Sequence, residues 1–266
     1  MQNIKLLVFD IDGTLIYHRD GDVLLSTKEA IKLAHNKNIH TIIATGRCPY
    51  FISEDVKNTF KDADYFITMN GTLIVDNKMN TIIKHDLTLD DINKLIKLAD
   101  KYEIAMGFKF EDVLGVYRDY HGFVSVYTGG IYKPDILKDM TNTRDYHLKT
   151  MPSDVFIIGD QYKLELLAKA YPNLTWVRAY DGAMEAYKQG ISKAKGIEWV
   201  LEQLNITWEN VMTFGDGEND IEMTEKAKIG VIMGNAKDSV KAHADYVTDD
   251  VLNDGIYNAL KYYEII

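Results

Sequence analysis

Short apolar runs alternate with helix-like stretches in the first third of the chain. The apolar runs are Leu6–Phe9, Thr41–Ala44 and Tyr65–Met69, and the stretches between them, Thr27–Asn36 and Tyr50–Phe60, have helical character. Short apolar runs bounded by polar residues are typical of buried strands, whereas apolar residues three and four apart are typical of helices. The order strand, helix, strand, helix, strand predicts a parallel sheet with crossover helices.

The same alternation returns at the other end of the chain. The predicted elements are a helix over Ser192–Leu204, a strand over Val211–Phe214, a helix after Asp220, a strand over Ile229–Met233 and a final helix near Gly255–Tyr263. We therefore predict that residues 1–83 and 188–266 fold together as the two segments of one Rossmann-like α/β core with a parallel sheet.

The middle of the chain follows a different pattern. Thr88 with Asp91 three residues later predicts a capping box at the start of a helix. A second helix is predicted over 162–170, a loop region extends to Pro152, and strand-like segments cover 105–110, 113–117, 155–158, 174–178 and 183–187. Adjacent strands without crossover helices favour an antiparallel sheet, so we predict that residues 84–187 form an inserted α/β cap domain.

Composition excludes several classes of partner. The 266 residues carry 30 basic and 40 acidic side chains, a formal charge of -10, and no basic run with interleaved aromatics. We therefore expect no nucleic-acid partner. No segment approaches the roughly 18 apolar residues of a membrane helix, so we expect no membrane association. The N-terminus lacks the pattern of a secretory signal, and Cys48 is the single cysteine; we expect a cytoplasmic protein, with its oligomeric state left open.

Chemistry-bearing residues follow three of the predicted strands, where parallel sheets bind ligands. They are Asp10, Ile11, Asp12, Gly13 and Thr14 after the first strand, Thr45, Gly46 and Arg47 after the second, and Gly215, Asp216, Gly217, Glu218, Asn219 and Asp220 after the strand over 211–214. Carboxylates gathered at one edge repel one another unless a hard cation lies among them, and oxygen ligands of this kind suit Mg²⁺.

These segments, in this order, resemble the four motifs of the haloacid dehalogenase superfamily. The run Val8-Phe9-Asp10-Ile11-Asp12-Gly13-Thr14-Leu15 resembles the first motif, Thr45-Gly46-Arg47 the second, Lys193 the third and Gly215-Asp216-Gly217-Glu218-Asn219-Asp220 the fourth. Asn70-Gly71 and the stretch 244–248 followed by 254–256 further resemble the Cof-type subgroup, whose members are mostly phosphatases of small phosphorylated metabolites. The insertion between the second and third motifs is similar in position and length to that subgroup's second type of cap.

Two lysines compete for the third motif. Lys193 and Lys195 both precede the helix that begins near Gly196. We choose Lys193 because Ser192 can cap the helix and because the spacing to Leu204 matches the family. Lys195 is interpreted as a solvated side chain.

The resemblance implies a Mg²⁺-dependent phosphomonoester hydrolase of small phosphorylated metabolites, with sugar phosphates favoured. Asp10 would form a transient aspartyl phosphate, and Asp12 would act as general acid and base. The metal would be held by the Asp10 side chain, the Asp12 carbonyl and Asp216, with Asp220 supporting the metal or Lys193. Phosphate-binding groups would be Ile11, Thr45, Gly46, Lys193 and Asn219, with Thr45 and Lys193 also catalytic. Arg47 and Asn70 are candidate substrate contacts.

Two alternative functions remain open. A phosphotransferase would use the same residues with an acceptor other than water. A phosphate-sensing regulatory protein would keep the site with weak activity, although such a module needs no cap of about 100 residues. Asp12 favours phosphate esters over carbon–halogen bonds, because only an alkoxide leaving group needs a proton donor.

Overall fold

The computed structural model describes residues 3–17, 21–131 and 133–266. The chain forms two compact units. The first contains the two terminal segments, Met1–Ile83 and Ser192–Ile266, and the second contains Lys84–Ile191. The second unit is therefore continuous in sequence, whereas the first is interrupted by it.

Fourteen strands lie in the described parts of the chain. They are β1 Leu6–Phe9, β2 His40–Ala44, β3 Tyr65–Thr68, β4 Leu73–Asp76, β5 Thr81–Lys84, β6 Ala105–Lys109, β7 Leu114–Arg118, β8 Leu137–Asp139, β9 Asp154–Ile158, β10 Leu174–Tyr180, β11 Ala183–Lys188, β12 Val211–Gly215, β13 Ile229–Ile232 and β14 Tyr246–Val247. The predicted second boundary, after residue 187, falls one residue before the end of β11.

Nine α-helices lie in the same ranges. They are α1 Leu25–Asn36, α2 Glu54–Thr59, α3 Leu89–Tyr102, α4 Tyr120–Tyr127, α5 Gln161–Ala170, α6 Lys193–Leu204, α7 Ile221–Lys226, α8 Asp238–Lys241 and α9 Gly255–Tyr262.

The first unit is built on a sheet in the order β14-β13-β12-β1-β2-β3-β4-β5. The pairings from β14 to β3 are parallel, and the β3–β4 pairing is antiparallel. Leu6 is in register with His40 on one side and with Val211 on the other. Because β1, β2 and β12 are neighbours and run the same way, the three loops that follow them meet at one edge of the sheet. The predicted parallel α/β core is confirmed.

Burial on both faces explains the apolar character of the central strands. All four residues of β1 are buried, as expected for a strand with helices on both sides of its sheet. Ile197 and Leu201 of α6 lie in one apolar cluster with Val8 and Ile42 of the sheet. This packing fixes α6, and with it the residue at its N-terminus, against the carboxyl ends of the strands.

The second unit contains a sheet in the order β10-β11-β9-β6-β7-β8. Its pairings are antiparallel except for β7–β8, which is parallel. Leu95 of α3 and Leu167 of α5 pack in one cluster with Phe108 and Ile157 of this sheet. The predicted antiparallel sheet is confirmed, with the short parallel edge strand β8 as an addition.

Two predicted segments differ from the structure. The predicted helix over 50–60 is divided into a 3₁₀ turn, Pro49–Phe51, and α2, because Ser53 is extended and caps α2 by accepting the N–H of Val56. The predicted loop before Pro152 contains α4 and β8. Glycine and β-branched residues give α4 low intrinsic helix propensity, and its order comes from tertiary packing, with the rings of Phe123 and Tyr127 against Phe156.

Within residues 3–17, 21–131 and 133–266, no helix has both the length and the apolar character needed to cross a bilayer.

Candidate active site

The buried amine of Lys193 joins two carboxylates at the carboxyl ends of the first unit's strands. Asp10 directly follows β1, and Lys193 is the first residue of α6. Its Nζ donates to Oδ1 of Asp10 and to Oδ1 of Asp220, at 2.7 Å in each case. Lys193 is 1% exposed and Asp220 is fully buried. One cation therefore faces two carboxylates in a region with almost no solvent access.

Asp216 brings a third carboxylate to the same place. One carboxylate oxygen from each of Asp10, Asp216 and Asp220 lies within 4.8 Å of the other two. The Thr14 hydroxyl faces Oδ1 of Asp216 at 3.4 Å. Gly13 has a φ of +72°, and a Cβ there would lie 2.2 Å from Oδ2 of Asp216. Only glycine allows the loop after β1 to approach this carboxylate so closely.

Asp220 holds the loop after β12 in addition to Lys193. Its Oδ2 accepts the backbone N–H groups of Asp216, at 3.0 Å, and of Gly217, at 2.9 Å. With the bond from Lys193, the carboxylate accepts three hydrogen bonds. These contacts favour an orienting role for Asp220, because its oxygens are directed at the lysine and at the loop.

The cluster brings three carboxylates together with one ammonium group. Burial raises the pKa of Asp10 well above its ordinary value of 3.8, since the opposing effect of Lys193 is incomplete and the charges of Asp220 and Asp216 add to the rise. Burial, reinforced by Asp220, also raises the pKa of Asp216 to about 7. Burial disfavours the charged form of Lys193, but Asp10 and Asp220 outweigh it and raise the pKa of the amine above its ordinary value.

The donor set fits a small, hard dication. It consists of carboxylate oxygens from three residues. The raised pKa values of Asp10 and Asp216 come from burial and from neighbouring negative charge, which a bound cation would offset. Oxygen ligands and a compact cluster are what Mg²⁺ prefers. Asp10 and Asp216 are the side chains best placed to hold it, because the Asp220 oxygens already accept three protein donors.

Asp12 lies at the rim of the site and is paired with Arg47. Nε of Arg47 donates to Oδ2 of Asp12 at 2.8 Å, and Nη2 donates to Oδ1 at 2.7 Å. The Asp12 side chain is 53% exposed and that of Arg47 is 8% exposed. Nη1 of Arg47 also donates to the carbonyl of Phe51 at 2.9 Å. The guanidinium thus contacts the loop after β1 as well as its own loop.

The loop after β2 places Thr45 and Gly46 beside Asn70. The Oγ1 of buried Thr45 accepts the N–H of Arg47 at 3.2 Å, and the N–H of Asn70 donates to the Thr45 carbonyl at 3.0 Å. Asn70 has a φ of 56° and is 2% exposed, and a Cβ on Gly46 would lie 3.3 Å from its Oδ1. Nδ2 of Asn219 donates to that same Oδ1 at 2.9 Å. Asn70 therefore links the loops that carry Thr45 and Asn219.

The two lysines that are candidates for the third motif lie in different surroundings. Lys193 lies in the carboxylate cluster, whereas Nζ of exposed Lys195 pairs with Oε2 of Glu198 at 2.7 Å. The Ser192 hydroxyl accepts the N–H of Lys195 at 3.1 Å and so caps α6. This cap fixes where α6 begins, and Lys193 is its first residue.

Asn235 is a site residue that the sequence reasoning did not include. Its Nδ2 donates to the Gly13 carbonyl at 2.8 Å, and its Oδ1 accepts the N–H of Val251 at 3.0 Å. It therefore braces the loop that carries Asp12. Asn235 follows β13 by three residues, so the rule that led to the other strand ends would have found it.

Comparisons with known proteins identify the family. The family model described as haloacid dehalogenase-like hydrolase matches residues 7–260. The chain belongs to that family. YkrA of Bacillus subtilis (strain 168) is 32% identical over 258 residues, covering 97% of this chain and 96% of that protein.

Two further similar proteins carry more specific names. The 5-amino-6-(5-phospho-D-ribitylamino)uracil phosphatase YcsE of Bacillus subtilis (strain 168) is 29% identical, covering 98% of this chain and 96% of that protein. The solved structure of BT4131, a subclass IIB sugar phosphatase, superimposes with a TM-score of 0.85 at 29% identity, covering 98% of this chain and 100% of that one.

Proposed function

We propose that this hydrolase is a Mg²⁺-dependent phosphomonoesterase that forms an aspartyl phosphate on Asp10. The observation that carries the proposal is the contact of Lys193 with both Asp10 and Asp220 inside a buried carboxylate cluster. A carboxylate attacks a phosphate ester only if the repulsion between the two anions is offset, and this cluster has one cation in place and donors for a second. YcsE and BT4131, both named as phosphatases, support the same reaction class.

The proposed metal ligands are the Asp10 and Asp216 carboxylates and the Asp12 carbonyl. When bound, Mg²⁺ would supply charge compensation between the nucleophile and the phosphoryl oxygens. Asp220 would act by holding Lys193 and the loop of Asp216, in accordance with its three hydrogen bonds.

In the first proposed step, an oxygen of Asp10 attacks phosphorus and the bond to the leaving alkoxide breaks. Asp12 donates its proton to that alkoxide oxygen, so the alcohol departs neutral and Asp12 is left as a carboxylate. The ammonium group of Lys193 stays next to the phosphoryl oxygens and offsets their charge.

In the second proposed step, water attacks phosphorus of the aspartyl phosphate. Asp12, now a carboxylate, takes the proton from this water, and the bond between phosphorus and the Asp10 oxygen breaks. Free phosphate and the original Asp10 carboxylate result. The same side chain serves as acid and then as base, which accounts for its position at the rim, 53% exposed.

The phosphoryl oxygens would be bound by short-range donors around the cluster. The proposed set is the Thr45 hydroxyl, the Asn219 amide and the backbone N–H groups of Ile11 and Gly46. Asn70 would orient two of these, because it contacts the Thr45 carbonyl and Nδ2 of Asn219.

We propose small phosphorylated metabolites as substrates, with sugar phosphates favoured. The compound named for YcsE has a phosphorylated ribityl chain, and BT4131 is named as a sugar phosphatase. Both names describe phosphate on a small hydroxylated carbon chain. The second unit, 84–191, is the proposed source of further selection.

A trapping experiment tests this function. The purified chain should release phosphate from sugar phosphates only with Mg²⁺, and a chelator should abolish the release. Incubation with beryllium fluoride and Mg²⁺, followed by mass spectrometry under native conditions, should find an adduct that Asp10→Ala loses. Asp62→Asn, which changes an exposed aspartate of the same unit, is the matched control and should keep both activity and adduct. Full turnover after complete removal of metal, or an adduct retained by Asp10→Ala, would contradict the proposal.

A further inference from the structure

The contact between Arg47 and Asp12 is a two-point contact with fixed geometry. Nε and Nη2 of one guanidinium edge reach the two oxygens of one carboxylate, at 2.8 and 2.7 Å. A planar fork of this kind fixes the direction of a carboxylate and not only its distance, which a lysine cannot do. Asp12 is 53% exposed, so without a partner its side chain would exchange among rotamers.

The arginine is the anchored member of this pair. Its side chain is 8% exposed, and Nη1 donates to the Phe51 carbonyl at 2.9 Å, in the 3₁₀ turn that follows its own loop. A buried cation tied to backbone on one edge presents its other edge in a constant direction. The carboxylate of Asp12 therefore takes its orientation from Arg47.

We propose that Arg47 is a positioning residue for proton transfer by Asp12, an inference that rests on the proposed function. Each carboxylate oxygen has a second lone-pair position besides the one that faces the guanidinium. Arg47 holds the carboxyl group so that this second position faces the leaving oxygen. As the ester bond breaks, the proton passes from Asp12 to the leaving oxygen, and the resulting carboxylate is held by the same two N–H groups.

This role differs from the substrate contact expected from the sequence. A residue that binds the phosphate should affect all phosphate esters alike, and a residue that binds the alcohol should affect each alcohol by its shape. A residue that acts through Asp12 should affect esters according to how much the leaving group needs a proton. The dependence on leaving-group acidity therefore distinguishes the three roles.

Aryl phosphates of similar shape provide the test. Phenol is a poor leaving group that benefits from a proton donor, whereas p-nitrophenol leaves readily as an anion. The ratio kcat/KM reports only the steps up to departure of the alcohol, so hydrolysis of the aspartyl phosphate does not enter it. We expect Arg47→Met to lower kcat/KM for phenyl phosphate about 10-fold or more, within the range of general acid catalysis, and for p-nitrophenyl phosphate by less than about 3-fold.

Three further variants make the result specific. Arg47→Lys keeps the positive charge but loses the pair of N–H groups that contact Asp12. It should therefore show the same increased dependence of kcat/KM on leaving-group acidity as Arg47→Met. When Asp12→Asn is already present, Arg47→Met should not further increase the dependence of kcat/KM on leaving-group acidity, because the proton donor is already absent. Arg144→Met removes a different arginine–aspartate contact, in which Nη1 alone donates to both oxygens of Asp100 in the second unit. It should leave the dependence of kcat/KM on leaving-group acidity unchanged.

The outcomes separate the inference from the function on which it rests. Equal losses of kcat/KM for both aryl phosphates, faster cleavage of phenyl phosphate by Arg47→Met, or full rescue by lysine would overturn the positioning role. Absence of Mg²⁺-dependent activity in the unchanged chain would instead overturn the proposed function. Thermal unfolding shows whether each variant is folded. If Arg47→Met does not fold, the kcat/KM values of Arg47→Lys for the two aryl phosphates test the positioning role instead.

Discussion

At the scale of single residues, the contacts of buried Asp220 favour a supporting role over a direct part in the chemistry. Asp220 accepts the Lys193 amine on one oxygen and two backbone N–H groups on the other. An asparagine in its place has one oxygen and one amide NH₂, so either the lysine or the two N–H groups would face a donor. The substitution therefore removes more than one hydrogen bond.

We expect Asp220→Asn to lower the free energy of unfolding by about 3 to 5 kcal/mol, because one partner of a buried ion pair is lost. Mg²⁺-dependent turnover should fall in parallel, since Lys193 loses its orientation. Urea unfolding and initial rates measure the two effects. Glu222→Gln, in a side-chain pair with Lys226 at the protein surface, is the control and should cost less than about 1 kcal/mol. Equal effects of the two substitutions would mean that Asp220 is not a structural support.

The sequence could identify most site residues but not how they pair. Asp10, Thr45 and Asp216 follow apolar runs, and the rule for the ends of parallel strands is enough to bring them together. The contacts of Asp12 with Arg47 and of Asn70 with Asn219 join separate loops. They depend on side-chain directions, which no spacing along the chain encodes.

At the scale of elements, α3 begins with a capping box that also contacts a residue distant in sequence. The capping box expected from Thr88 and Asp91 is present, with the N–H of Asp91 donating to the Thr88 hydroxyl at 3.2 Å and that of Thr88 to Oδ2 of Asp91 at 2.8 Å. The Tyr171 hydroxyl, just after α5, donates to Oδ1 of Asp91 at 2.5 Å. Burial and this bond raise the pKa of Tyr171 to about 12.

Asp91→Ala should therefore cost more stability than Thr88→Ala. We expect about 1 kcal/mol for Thr88→Ala, the usual value for a lost helix cap. Asp91→Ala should cost roughly 1 kcal/mol more, because the hydrogen bond from Tyr171 is lost as well. Chemical unfolding of both variants and of Tyr171→Phe measures these costs. Identical effects of Thr88→Ala and Asp91→Ala would show that the tyrosine contact contributes nothing.

The contact between α1 and α2 should make stability depend on pH. Asp55 accepts Nζ of Lys28 at 2.6 Å and the N–H of Val23 at 2.9 Å. Burial acts to raise the pKa of Asp55, but these bonds outweigh it and lower the pKa below its ordinary value of 3.8. A lowered folded-state pKa adds stability above the ordinary value, and that stability is lost as pH falls through the lowered one.

The comparison of unchanged chain and Asp55→Asn measures this contribution. At neutral pH the variant should be less stable by about 1 kcal/mol, the usual net contribution of one hydrogen bond in a folded protein. The difference should decline as the pH falls below about 4, because Asp55 is protonated first in the unfolded state and, at lower pH, in the folded state as well. A difference that stays constant down to acid pH would show that the carboxylate's charge has no part in it.

Elements whose order comes from packing were the ones that the sequence did not predict. The capping box of α3 is encoded within four residues and was found. Helix α4 has Asp119 as its N-cap at a φ of 51°, and it lies against the sheet through Phe123 and Tyr127. Its order depends on Phe156, more than 25 residues further along, which a local pattern cannot report.

At the scale of the whole molecule, we assign different proposed roles to the two units. The proposed catalytic residues all belong to the first unit, and selection among substrates is proposed for the second. We expect replacement of residues 84–191 by a short flexible linker to flatten the discrimination among small phosphate esters, while Mg²⁺ dependence persists. Steady-state kinetics over a panel of sugar phosphates and p-nitrophenyl phosphate measures this.

Circular dichroism and thermal unfolding of the shortened chain must accompany that measurement, to show that the first unit keeps its fold. If the shortened chain ranked the panel as the full chain does, selection would reside in the first unit. Its loops after β2 and β3 would then be the place to look.

The alternation of strands and helices predicted the layout of the first unit, because it depends on local periodicity. Local periodicity does not predict the order of strands in the second sheet. In that sheet β6 pairs with β9, across the segment that contains α4 and β8, and this pairing is chosen by packing over a long separation.

The interrupted first unit has a consequence for biosynthesis. Lys193 and Asp10 are 183 residues apart in sequence, and β1 pairs with β12. A chain emerging from the ribosome cannot complete the central sheet until Val211–Gly215 has been made, whereas the continuous second unit can form its sheet earlier. Long-range pairing of this kind slows folding. The nascent chain therefore holds Asp10 without its lysine until residue 193 has been made, and the carboxylate cluster is assembled only after the whole second unit has been synthesised.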